Sequence, residues 1–70
     1  MRRSLTTLRE FLHHKPFRPF RVVMRSGKRY EIVDPDKVAI GLSKAYAFLP
    51  RRTEIPEDEI ELIYEPRQRN

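Results

Sequence analysis

Apolar residues recur along this chain with two different periods. From Leu5 they return at Leu8, Phe11 and Leu12, the spacing of one helix face. This predicts an α-helix over about residues 4–14. Ser4 is placed to cap it, because its hydroxyl can accept an orphan backbone N–H. "TLRE", Thr7 to Glu10, offers a second and later capping box. Pro16 ends the helix: it disfavours helical geometry at Lys15 and has no N–H to donate.

From Phe20 the period changes to two. Phe20, Val22 and Met24 alternate with Arg21, Val23 and Arg25, predicting a strand over about 20–24. A second strand over about 28–33 sets Tyr30 and Ile32 on its apolar face. Parity determines the loop between them. A two-residue turn would set inward residues opposite outward ones. A three-residue loop, Arg25-Ser26-Gly27, keeps the faces consistent and puts glycine where a left-handed residue is required. Val22 then lies across from Tyr30, and Arg21 across from Glu31.

"DPDK", Asp34 to Lys37, reads as a turn or a bend in a long strand. Further strands are predicted over about 37–41, 44–49 and 59–64. In the fourth, Tyr46 and Phe48 share one face and the alanines the other. Residues 50–59, with two prolines, read as a polar loop. In the last strand Ile60, Leu62 and Tyr64 are expected inward and Ile63 outward.

One helix followed by short, closely spaced strands predicts an all-β fold. The expected form is a small, strongly bent, five-stranded antiparallel barrel, with the N-terminal α-helix capping its open end. This order resembles the Sm-like small barrel. "RVVMRSGKRYEIVDPDKVAIG" is similar in outline to the first Sm motif: an apolar strand, a glycine turn, and a second strand leading to an acidic bend. The family's glycine within the second strand has no counterpart at Glu31 or its neighbours. Its asparagine after the aspartate of the bend is absent from "DPDKV", and its Arg-Gly pair is absent from "PRRTEIPED". The resemblance therefore implies the fold and transfers no RNA-binding residue. A fuller resemblance, over Leu5 to Tyr64, is to a group of small bacterial proteins with "PFRPFR", a glycine hairpin, an acidic-Pro bend and a final alternating strand. It implies the same fold and carries no activity.

Seventy residues make a single domain, 1–70. A chain this short buries only about 60% of its unfolded surface, which makes oligomerisation a natural expectation. The absence of cysteine removes disulfides and thiolate metal sites and fits a cytoplasmic protein. No run approaches the roughly 20 apolar residues of a membrane span, and the N-terminus lacks the apolar stretch of a signal peptide. No membrane partner is expected. Residues 66–70 read as a frayed tail.

Charge is unevenly placed. Residues 1–29 carry nine Lys/Arg and one acid, Glu10, whereas residues 53–66 carry six acids and no base. The chain is basic at one end and acidic near the other, which bears on partners more directly than the net charge does.

Little of this supports catalysis. His13 and His14 are neighbours, pointing about 100° apart on a helix, with no further His or Cys to complete a metal site. Their expected place is at the helix C-terminus, where a cation is favoured. Glu57, Asp58, Glu59 and Glu61 form a solvated acidic patch. There is no nucleophile elbow and no phosphate-cradling glycine loop. The expectation is a protein that is not an enzyme, with no cofactor, metal or small-molecule substrate.

The basic residues carry the functional expectation. Arg18, Arg21, Arg25, Lys28 and Arg29 surround the first hairpin, and Arg51 and Arg52 are placed to join them across the sheet. Clustered guanidinium groups bind phosphates bidentately and with strong salt dependence. This points to a small non-catalytic nucleic-acid-binding protein, with RNA the expected ligand. Phe17 and Phe20 interleave with these arginines, but parity makes Phe20 the first inward residue of its strand, and Phe17 pins the crossover to the core. The alternative expectation is a protein-interaction or self-assembly module. There the basic N-terminal end would meet Glu57, Asp58 and Glu61 of another copy, with Ile63 in the contact.

Overall fold

The computed structural model describes residues 5–66; the expectations for Ser4 and for tail residues 67–70 lie outside the described residues. The helix α1 spans Leu5–Leu12. It stops short of residue 14 because the ring of Pro16 clashes with the carbonyl four residues back, that of Leu12. Leu5, Leu8 and Leu12 are buried, and Phe11 packs partly against them. The helix begins two residues before Thr7, so the later capping box does not start it.

Six strands follow: β1 (Phe20–Met24), β2 (Arg29–Ile32), β3 (Val38–Ile40), β4 (Lys44–Phe48), β5 (Arg52–Pro56) and β6 (Ile60–Tyr64). The chain is thus mostly β with one N-terminal helix. The strands form two open antiparallel sheets, β2-β1-β6 and β3-β4-β5, instead of the expected closed barrel. The division falls at "DPDK". The Asp34 carboxylate accepts from the Asp36 backbone N–H at 3.0 Å, and a single 3-10 turn forms over Pro35–Lys37. Pro35 has no N–H for a ladder. The segment therefore leaves the sheet, and of the two readings of "DPDK" the turn holds, with β2 and β3 as separate strands on either side.

The hairpin of β1 and β2 has the expected register, with Val22 opposite Tyr30 and Arg21 opposite Glu31. Gly27 has φ +97°, and an added Cβ would meet nothing within 4 Å. The backbone sign alone calls for glycine there. Phe20, Val22 and Met24 point into the core.

The polar loop expected over 50–59 contains β5. Its five residues include only one fully buried side chain, Ile55, and end on a proline. Hydrophobic periodicity has almost nothing to register in such a strand. Its hold comes from the ladder to β4, which pairs Lys44 with Pro56 through to Phe48 with Arg52. Ala45 and Ala47 face inward beneath this ladder and are wholly buried.

The register of β6 corrects a second expectation. Val23 pairs with Leu62, but Met24 pairs with Ile60, so Glu61 is an extra residue in the strand. Such a bulge reverses the parity beyond it. Ile60 and Ile63 are both buried, while Leu62 is 45% exposed. Ile63 is therefore a core residue, and the reason for placing it in an interface disappears.

The bulge is directly testable. Ile63→Lys should destabilise the fold by on the order of 3 kcal/mol, since it buries an unpaired charge. Leu62→Lys should cost about 0.5 kcal/mol or less. Urea unfolding of the two variants would show the opposite order if β6 alternated without the extra residue.

Candidate nucleic-acid interface

Among the described residues, the basic side chains singled out by the sequence lie in two places, one at each sheet. On the first sheet, the inward course of Phe20 and Val22 sends Arg21 and Val23 outward. Arg21 lies between Glu31 of β2 and Tyr64 of β6. Its Nη1 donates to the Tyr64 hydroxyl at 3.4 Å. That hydrogen bond is the main cause holding the guanidinium above its usual pKa, and Glu31 adds a smaller electrostatic contribution. Arg18 is paired as well, with its Nη1 3.5 Å from an oxygen of Glu65.

Further along the hairpin the partners run out. Arg25, Lys28 and Arg29 are exposed and join no ion pair among the described residues. They remain available to an external anion.

The second basic place is the outer face of β4 and β5. Because Ala45 and Ala47 fill the inward positions, Lys44, Tyr46 and Phe48 face out. Phe48 is 50% exposed. Arg52 lies over the Tyr46 ring, its guanidinium carbon 5.0 Å from the ring centroid. Glu54 is the one carboxylate on this face of β5. Lys44 Nζ donates to it at 3.1 Å, and an Arg52 nitrogen approaches it at 3.7 Å. The hydrogen bond to Glu54 is the first cause of a raised Lys44 pKa. Arg51, at the entrance to β5, is exposed and joins no ion pair among the described residues. Two cations, one carboxylate and two aromatic rings thus share one surface, with exposed Arg51 just before it in the chain.

Arg51 and Arg52 therefore do not extend the arginine row of the hairpin, since they belong to the other sheet. The two places meet across a groove of about 440 Å³, with Lys28 and Tyr30 on the hairpin side and Glu54 and Pro56 on the β5 side. Alternation in "KAYAF" shows that Tyr46 and Phe48 share a face. It does not show that the small alanines take the core, so half-buried Tyr46 and exposed Phe48 are not among the expected site residues.

The acidic residues separate too. Glu57 is drawn into the fold: its Oε2 accepts the Leu5 backbone N–H at 2.9 Å, at the start of α1. A carboxylate there satisfies an orphan donor and suits the positive end of the helix. The Glu57 backbone N–H donates to the Ser43 carbonyl at 3.0 Å, fixing the turn that presents it. Asp58 and Glu61 stay exposed. Among the described residues, no group of three or more His, Asp or Glu side chains is arranged to hold a metal ion. No helix among them is long and apolar enough to cross a membrane.

Comparison with known proteins adds no assignment: the chain matches no family model, no curated protein and no solved structure.

The cap predicts a difference between adjacent acids. Glu57→Ala should lower stability by about 1 kcal/mol. Asp58→Ala, exposed in the same turn, should change it by about 0.5 kcal/mol or less. Equal effects in thermal unfolding would show that the Leu5–Glu57 bond contributes nothing.

Proposed function

We propose that this protein is a small non-catalytic binder of single-stranded nucleic acid, with RNA the preferred form. The observation carrying this reading is the outer face of β4–β5. Half-exposed Phe48 stands on it beside Tyr46, with Lys44 and Arg52 sharing the single carboxylate Glu54, and with unpaired Arg51 preceding the strand. Exposed rings stack on bases of any sequence, and neighbouring guanidinium groups take the phosphates between them. Arg25, Lys28 and Arg29, unpaired at the hairpin, offer a second set of phosphate contacts beside the groove, whose charged lining is Lys28, Glu54 and Glu59. Arg18 and Arg21 contribute less, because each already has a partner.

The preference for RNA rests on the Sm-like reading of the fold, which the strand order supports. Only a 3-10 turn separates β2 from β3. Taken as one bent strand, they join the two sheets into the order β6-β1-β2/β3-β4-β5. Counted so, the order has five strands, the number expected of an Sm-like barrel, with β5 and β6 at its two edges.

A second reading, self-assembly, has one observation in its favour. The outer edges of β5 and β6 pair with no other strand among the described residues. Open edges can take up a strand from another copy. The reading is weakened by burial of Ile63 and capture of Glu57, which leaves Asp58 and Glu61 as its charged contacts.

Titration of labelled single-stranded RNA at two salt concentrations tests the first reading, with DNA of the same sequence alongside. Tyr46→Ala with Phe48→Ala should cost about 1–3 kcal/mol per stacked base. Arg25→Glu with Arg29→Glu should flatten the salt dependence by about one unit of slope per lost phosphate contact. No binding at low salt would end the proposal, and an unaffected aromatic variant would remove β4–β5 as the site. Light scattering decides the second reading: a strict monomer at high concentration contradicts it.

A further inference from the structure

A broad cleft lies away from both basic faces, between the C-terminal end of α1 and the second sheet. It has a volume of about 680 Å³. Its existence follows from the early end of the helix. With α1 stopped at Leu12 by Pro16, the chain turns through His13–Lys15 without covering the inner side of β3. Val38 and Ile40 therefore stay only half-buried, although the alanines opposite them are wholly buried. With Leu12 and Phe17 they give the cleft an apolar floor.

The rim has a different character. Arg9, His13, His14 and Lys15 all border the cleft. Arg9 and His13 stand one turn apart, and the His13 backbone N–H donates to the Arg9 carbonyl at 3.0 Å. His14 is oriented by its Nδ1, which lies 3.0 Å from the Pro16 carbonyl oxygen. None of these four side chains joins an ion pair among the described residues. Asp36, on the opposite wall, is the one carboxylate at the cleft.

An apolar floor beneath a cationic rim selects an anion with a hydrocarbon body. We propose that this cleft binds a carboxylate-headed amphiphile, such as a medium-chain fatty acid. Its head would lie against Arg9 and Lys15 with the histidines beside them, and its chain on Leu12, Phe17, Val38 and Ile40. The size is within the usual range for small-molecule sites, roughly 300–1,000 Å³. The floor side chains carry no hydrogen-bonding group. A nucleobase laid there would lose the partners of its polar edge, whereas a hydrocarbon chain loses none. This site is separate from the nucleic-acid reading and stands or falls without it.

Calorimetric titration of the intact chain with decanoate below its micelle concentration tests the proposal. Decyltrimethylammonium and adenosine monophosphate serve as comparison ligands. Decanoate should bind about tenfold or more tightly than either. Arg9→Glu with Lys15→Glu, both on exposed side chains, should weaken it by about tenfold or more. Arg25→Glu with Arg29→Glu should leave it unchanged, which separates a site from general attraction to a basic protein. Absence of decanoate binding would overturn the proposal. So would comparable binding of the cationic amphiphile or the nucleotide, or equal weakening by both charge reversals.

Discussion

Burial of Phe20 is the constraint on which the rest of the structure depends. It has no exposed surface and stands where the crossover from α1 enters β1. Its ring lies 5.1 Å from that of Phe11 on the helix and 6.1 Å from that of Phe17 on the crossover. Aromatic pairs at such distances add about 0.5–1.5 kcal/mol beyond the area they bury. One side chain thus ties helix, crossover and first sheet together. Its direction also sets every other direction on β1: Val22 and Met24 inward, Arg21 and Val23 outward. "PFRPFR" sends its rings to the core and its arginines to the surface; Pro16 lies in the bend that leaves the helix, and Pro19 stands between the two rings.

The uneven charge of the chain has a similar double outcome. Part of the acidic segment is used within the molecule, Glu57 at the start of α1 and Glu65 on Arg18. Glu54 holds Lys44 and, less closely, Arg52. The acids therefore neutralise the cations nearest them and leave others unopposed. Arg25, Lys28 and Arg29 at the hairpin, Arg51 before β5, and Arg9 and Lys15 at the cleft keep their charge for something outside. Exposed ion pairs of this kind contribute little to stability, so their main effect is on where positive potential remains.

Local rules made much of the fold legible. The helix face, the three-residue hairpin loop and the register of β1 with β2 follow from spacing, proline and glycine chemistry, and parity. What was not legible depends on partners distant in sequence. β5 is a strand because β4 offers it a ladder, and Ile55 alone gives too little pattern to reveal that. The bulge at Glu61 meets a mismatch with β1, so strict alternation misassigned Leu62 and Ile63. The cap on α1 comes from Glu57, fifty-two residues beyond Leu5, and no local motif could announce it. Tyr46 and Phe48 turn outward because Ala45 and Ala47 hold the buried positions of β4, which alternation alone does not decide. The basic hairpin could be read from composition, but its division into paired and unpaired arginines needed Tyr64 and Glu65 in place.

The central claim is a division of labour among the aromatic residues. Phe11, Phe17 and Phe20 hold the fold, and Tyr46 and Phe48 are the proposed binding face. Amide and aromatic NMR shifts recorded while single-stranded RNA is added to the isotope-labelled protein test this most directly. The account predicts changes concentrated at Tyr46, Phe48, Arg51 and Arg52 and continuing to Lys28, with Phe17 and Phe20 unmoved. Changes centred on Phe17 to Arg21, with β4 and β5 silent, would contradict it.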